Sequence, residues 1–169
     1  MTGARTAEVA GGRPCDSVSG PPAHSAARAY GAERVARAVV RALGADEDPR
    51  TLALWSRAAG SSVRALQYWC LSTGVRPAAC RDLTRLLRLV VHARDGIWDP
   101  YNRLDSDPRT VRRLLRVGGL PSPRYAPLPG VDAFLSRQSL VRSGEVLDAL
   151  RGQLSGDSAR AEGRGHALN

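Results

Sequence analysis

Leu52-Ala53-Leu54-Trp55-Ser56-Arg57-Ala58-Ala59-Gly60-Ser61-Ser62-Val63-Arg64-Ala65-Leu66-Gln67-Tyr68-Trp69-Cys70-Leu71 is the stretch on which the fold turns. Leu52, Trp55 and Ala59 fall on one side of a short helix that Gly60 ends. Ser62 opens a second helix, offering its side-chain oxygen to a free backbone N–H one turn on. Two short helices close into an elbow when three conditions hold. The first helix must turn a small residue toward the second, the turn must contain a flexible residue, and apolar side chains must lie beneath the second helix. Ser56, Gly60, and Leu66 with Trp69 satisfy them in that order. The second helix then presents Ser62, Val63, Arg64, Gln67, Tyr68 and Leu71 outward.

The surrounding sequence reads as further helices. One is expected from about Ala26 to Leu43, with Tyr30, Val35, Val39 and Leu43 on one face and Gly44 as its stop. Asp48-Pro49 reads as an N-cap followed by a first-turn proline, opening the first helix of the elbow. Pro77 opens a long amphipathic helix to about Arg94, with Leu83, Leu86, Leu87, Val90 and Val91 at i, i+3, i+4, i+7 and i+8. Asp99-Pro100 and Asp107-Pro108 repeat the cap-then-proline start, and Gly118-Gly119 closes the second of these helices. No stretch alternates as a strand, so the expected fold class is all-α. The expected organisation is a disordered segment over 1–25 and a helical domain over 26–120. A Pro-rich linker with a C-terminal helix follows over 121–153, and a disordered tail over 154–169. The C-terminal helix spans about Val131–Leu150, with Ser143-Gly144 as a candidate break.

Charge narrows the function. The chain has 25 basic residues, all arginine, against 16 acids, for a net charge of +9. Residues 1–48 sum to zero, 49–118 to +8 and 119–169 to +1. An excess confined to one 70-residue segment is the pattern of a module that faces a polyanion. No apolar run is long enough for a membrane span, and no apolar segment follows the first arginines as in a secretory leader. The three cysteines, Cys15, Cys70 and Cys80, lack metal-ligand spacing and fit a reducing cytoplasm. His24, His92 and His166 are scattered, so no metal or other cofactor is expected. No nucleophile–base pair suggests an enzyme.

Arg64 and Gln67 are suited to guanine and adenine edges through paired hydrogen bonds, and Val63 to a thymine methyl. The expected partner is therefore double-stranded DNA, with Ser62, Val63, Arg64, Gln67 and Tyr68 as the base-reading set. Arg109, Arg112, Arg113 and Arg116 recur at i, i+3, i+4 and i+7 of the Asp107-capped helix, opposite Val111, Leu114 and Leu115. They are candidates for phosphate contact, as are Arg81 and Arg85 on the long helix, where Asp82 offers a competing partner.

Within this region Leu54-Trp55-Ser56-Arg57-Ala58-Ala59-Gly60-Ser61-Ser62-Val63-Arg64-Ala65-Leu66 resembles the first helix-turn-helix of the AraC family of transcription regulators. Gly74-Val75-Arg76-Pro77 is similar to that family's Gly-Val-Ser-Pro turn, and Arg85-Leu86 falls where its Arg-Leu pair sits on the linking helix. The resemblance covers about residues 49–94. It implies a cap at Ser62, groove-facing Val63, Arg64, Gln67 and Tyr68, and core positions at Leu66 and Trp69. Two departures stand out. The interval from Leu66 to Gly74 is one residue shorter than the family's, and residues 97–118 offer only a degenerate candidate for its second helix-turn-helix.

The function expected is sequence-specific DNA binding in transcription regulation. RNA polymerase or another regulator is the candidate protein partner, and oligomeric state is left open. The alternative is a protein-interaction adaptor that keeps the fold without binding DNA, which Val63, Tyr68 and Leu71 favour. RNA fits less well, because side chains read the A-form major groove poorly. Trp55, Trp69 and Trp98 read as core, and Cys70 and Cys80 as small buried residues.

Overall fold

The fold was obtained as a computed structural model, which describes residues 23–93, 99–121 and 128–165, without the side chains of 23 and 157–165. These residues form eight helices and no strand, so the all-α expectation stands. In order they are α1 (Ala23–Leu43), α2 (Leu52–Ala58), α3 (Val63–Ser72), α4 (Pro77–Ala93), α5 (Pro100–Arg103), α6 (Pro108–Val117), α7 (Val131–Arg137) and α8 (Gly144–Gly165). No described helix is long and apolar enough to cross a membrane.

Two helices organise the core. α1 packs on α8, α3, α4 and α2, and α4 packs on α3, α7, α2 and α6. The buried stripe of α1 is mostly small: Ala32, Val35, Ala36, Ala38, Val39 and Ala42. Small side chains let neighbouring helices approach closely, so one helix can serve four partners. Gly31 shows how close: a Cβ there would lie 2.2 Å from Ser72 Oγ and 3.2 Å from the Trp69 carbonyl oxygen. α4 fills the space opposite with Leu83, Leu86, Leu87 and Val90, none more than 1% exposed.

Most of the local punctuation is where the sequence places it. Ser62 Oγ accepts from Ala65 N at 3.1 Å, capping α3. Asp99 and Asp107 cap α5 and α6, each followed by proline in the first turn. Gly118 caps the end of α6, and Gly119 takes φ +65°.

Several expectations are corrected. Asp48 does not cap α2; Thr51 does, its hydroxyl accepting from Leu54 N at 3.1 Å, while Asp48 and Pro49 are buried before the helix begins. Tyr30 leaves the core face of α1 and is 57% exposed. The candidate break at Ser143-Gly144 is present, and the C-terminal stretch forms two helices, α7 and α8, the second starting at Gly144. The break is held by Gln138, whose Oε1 accepts from Leu140 N and Val141 N and whose Nε2 donates to Val141 O. Nor is this region an appendage, because Phe134, Leu135, Val141, Val146 and Leu150 complete the same core as α1 and α4. α8 also continues as helix past the expected end, to Gly165. The expected disordered segment 1–25 overlaps α1 from Ala23; residues 1–22, with Cys15, lie outside the described residues, as do Trp98 and His166.

Candidate functional site

α2 and α3 meet through a tight turn built on one left-handed glycine and two local bonds. Gly60 sits at φ +60°, in the left-handed region that glycine enters without strain. Ser61 N donates to Ser56 O at 2.9 Å, and Ser56 Oγ turns back to Ala53 O at 2.8 Å, so the small residue of α2 stays inside the elbow. Leu66 and Cys70, 1% and 0% exposed, hold α3 on the core one turn apart.

At about 100° per residue, this anchoring fixes what α3 presents. Arg64, Tyr68 and Leu71 point away from the core, and Gln67 lies on the adjoining flank; all four are exposed. Tyr68 and Leu71 are 64% and 67% exposed, unusual for side chains of that size. Val63 is half-buried, and Ser62, though exposed, has its oxygen engaged as the cap. The five residues singled out for base reading thus divide into a cap, a half-buried flank residue and an exposed trio.

Trp69 is half-buried and faces α1, where the Arg34 guanidinium stacks over its ring at 4.4 Å. The Tyr30 ring also neighbours Arg34, its centroid 5.9 Å from the guanidinium carbon. With Gly31 against Ser72 and Thr73, Arg34 against Trp69 and Arg41 beside Gly60, α1 runs antiparallel to α3. Arg34, Arg37 and Arg41 therefore line one edge of α3, and with Ala38, Ala59, Gly60, Ser61 and Trp69 they enclose a cleft of about 50 Å³. Sequence reading missed this group because residues 1–48 sum to zero charge. The i, i+3, i+7 spacing of these arginines was the signal that could have found it.

The other arginine candidates divide sharply. On α6, Val111, Leu114 and Leu115 are buried while Arg109, Arg112, Arg113 and Arg116 are all exposed. None of the four is ion-paired among the described residues, where the pairs involve Arg28, Arg50, Arg57, Arg81, Arg85 and Arg151. Asp107 anchors that helix, and hydrogen bonds from Thr110 (side chain and backbone) and from Arg109 N hold its carboxyl below the usual range.

Arg85 is a correction. It is 3% exposed and forks onto Asp48, with Nε at 2.9 Å from Oδ1 and Nη2 at 2.6 Å from Oδ2. Its Nη2 also donates to Ser106 Oγ at 2.7 Å, and Asp48 Oδ2 accepts from Asp105 N at 2.9 Å. Arg85 is a structural clamp, buried with its charge matched by Asp48 and so withdrawn from the surface a phosphate could reach. Arg81 is half-buried and donates twice to the adjacent Asp82, at 2.9 and 2.6 Å, so its charge is already matched. Arg88 turns inward as well, donating to the carbonyls of Leu43, Ala45 and Glu47 at and just past the end of α1.

Cys70 and Cys80 are both 0% exposed. The neighbouring Cys70 thiol, together with burial, pushes the Cys80 thiol well above its usual range, which keeps it protonated.

The chain matches no protein-family model, and neither a curated protein nor a solved structure is found similar to it.

Proposed function

We propose that the protein is a sequence-specific DNA-binding transcription regulator of AraC type. In this reading α2 and α3 act as a helix-turn-helix, with α3 in the major groove. The observation that carries it is the exposed Arg64–Gln67–Tyr68 surface on a helix whose other side is immobilised by Leu66, Cys70 and the Ser62 cap. A recognition helix needs that division, because base edges are read only by side chains whose backbone is fixed relative to the groove. Arg64 supplies the fork for guanine, and Gln67 the paired donor and acceptor for adenine. The α6 stripe supplies phosphate contacts, which position the protein without reading sequence.

The test is a gel-shift titration with genomic fragments across a salt series. Five to eight arginine–phosphate contacts give a slope of log affinity against log salt of roughly −5 to −7. Binding indifferent to salt between about 50 and 200 mM would overturn the proposal.

One observation favours a second reading. Tyr68 and Leu71 expose more apolar surface at the centre of the α3 face than phosphate or base contacts need. An adaptor that docks a protein partner on this face would lose that partner on Leu71→Asp and show no DNA phenotype on Arg64→Ala.

A further inference from the structure

We propose that Arg34, Arg37 and Arg41 form a phosphate rail beside α3, and that the cleft they share with Gly60, Ser61 and Trp69 seats one backbone phosphate of bound DNA. The proposal rests on the DNA-binding reading of α3 and adds to it the element that fixes the helix along the strand. Three observations carry it. First, the i, i+3, i+7 spacing puts three guanidiniums on one face of α1, and the antiparallel packing of α1 on α3 lays that face along the edge of the exposed α3 surface. From Arg34 to Arg41 the helix rises about 10 Å, comparable with three steps of one strand at about 3.4 Å of axial rise each, the span of about four successive phosphates.

Second, the three charges are unmatched by any carboxylate at ion-pair distance among the described residues. Of the acids nearest in sequence, Glu33 bonds to Gln153, Glu47 pairs with Arg57, and Asp46 lies near Arg88 and forms no ion pair with these three arginines. Three like charges within two helical turns repel one another, and a bound anion relieves that repulsion.

Third, the cleft is preorganised. Stacking on Trp69 at 4.4 Å holds Arg34 by its face and leaves the N–H edge of the guanidinium free to fork onto phosphate oxygens. Gly60 borders the opening beside Arg41 and carries no side chain into it. The cleft, about 50 Å³ in volume, is lined by these three arginines, the chemistry that a phosphate group requires.

The test compares the full chain with an Arg37→Gln/Arg41→Gln variant on a preferred and a random duplex across a salt series. The rail predicts equal loss of affinity on both duplexes, unchanged site preference, and a salt slope flatter by about two units. Arg37→Lys/Arg41→Lys should restore most of the slope, which separates charge from folding. Arg137→Gln/Arg142→Gln removes the same charge from exposed positions elsewhere and should leave the slope nearly as it was. An unchanged slope in the first variant, or equal flattening by the control pair, overturns the rail while leaving DNA binding by α3 intact. If the unaltered chain binds no duplex, the α3 reading fails and takes the duplex rail with it. Titration with inorganic phosphate, followed at the Gly60 and Ser61 amides, then distinguishes a free-phosphate seat (saturable shifts) from no seat at all.

Discussion

Replacing Asp48 with alanine should be among the most damaging single changes in this protein. Asp48 lies between α1 and α2, and its carboxylate receives Arg85 of α4 in a forked bond and the Asp105 amide from the loop before α6. Both ion-pair side chains are nearly inaccessible, at 4% and 3%. Removing one partner leaves a buried guanidinium unmatched, which costs about 3–5 kcal/mol, far more than the pair contributes relative to an apolar filling. Arg85→Ala should cost a similar amount, and the double variant much less than the sum, with a coupling near the upper end of the usual range, about 3 kcal/mol. Urea unfolding followed by circular dichroism reads this directly. With a slope of about 2 kcal/mol per molar, each single variant should lose about 1.5–2.5 M in midpoint. Single losses under about 1 kcal/mol that simply add would show that the pair is hydrated and that the argument from burial is wrong. Any Arg85 variant stable enough to assay should keep the parent salt slope on DNA, since this guanidinium reaches no phosphate.

Arg64→Ala should cost about 1–3 kcal/mol at a preferred site and relax specificity at one or two base positions. Leu66→Ala should instead destabilise the fold by about 2–5 kcal/mol; binding-site selection and thermal melts separate the two, and unchanged site preference in a folded Arg64→Ala chain would remove α3 as the reading element. Neutralising Arg112 and Arg113 together should weaken binding to all sequences alike and flatten the salt slope by about two units; lost preference with retained non-specific affinity would make α6 a second reading helix. Because hydrogen bonds in the folded state depress the Asp107 carboxyl, its contribution to stability is complete above the ordinary aspartate value near pH 4 and disappears as pH falls through the lower folded value. Asp107→Asn keeps a capping side chain, so it should remove that acid-side dependence while α6 persists; an identical pH profile in wild type and variant would refute the assignment.

What the sequence itself determined is local. The starts of α3, α5 and α6, the Gly60 turn, the end of α6 and the amphipathic face of α4 depend on groups two to four residues apart, so their chemistry is legible in a short window. Arg64, Gln67, Tyr68 and Leu71 on α3 followed in the same way from the apolar face at Leu66, whereas Val63, read as outward, is half-buried, and so is Trp69, read as core. Tertiary structure decided the fate of groups whose partners are distant. Asp48 has the look of an N-cap, yet its carboxylate goes to an arginine 37 residues away, and the cap falls to Thr51 three residues later. Arg85 shares a sequence line with Arg81 and Arg88, but helix rotation buries it against that same aspartate. The Pro-rich connection suggests an independent C-terminal piece, whereas the alanine stripe of α1 makes a surface that α8 can cover closely. Segment charge sums hid the α1 arginines, because a sum over residues carries no direction. Only the packing of α1 against α3, close enough to require Gly31, turns three dispersed arginines into one continuous edge.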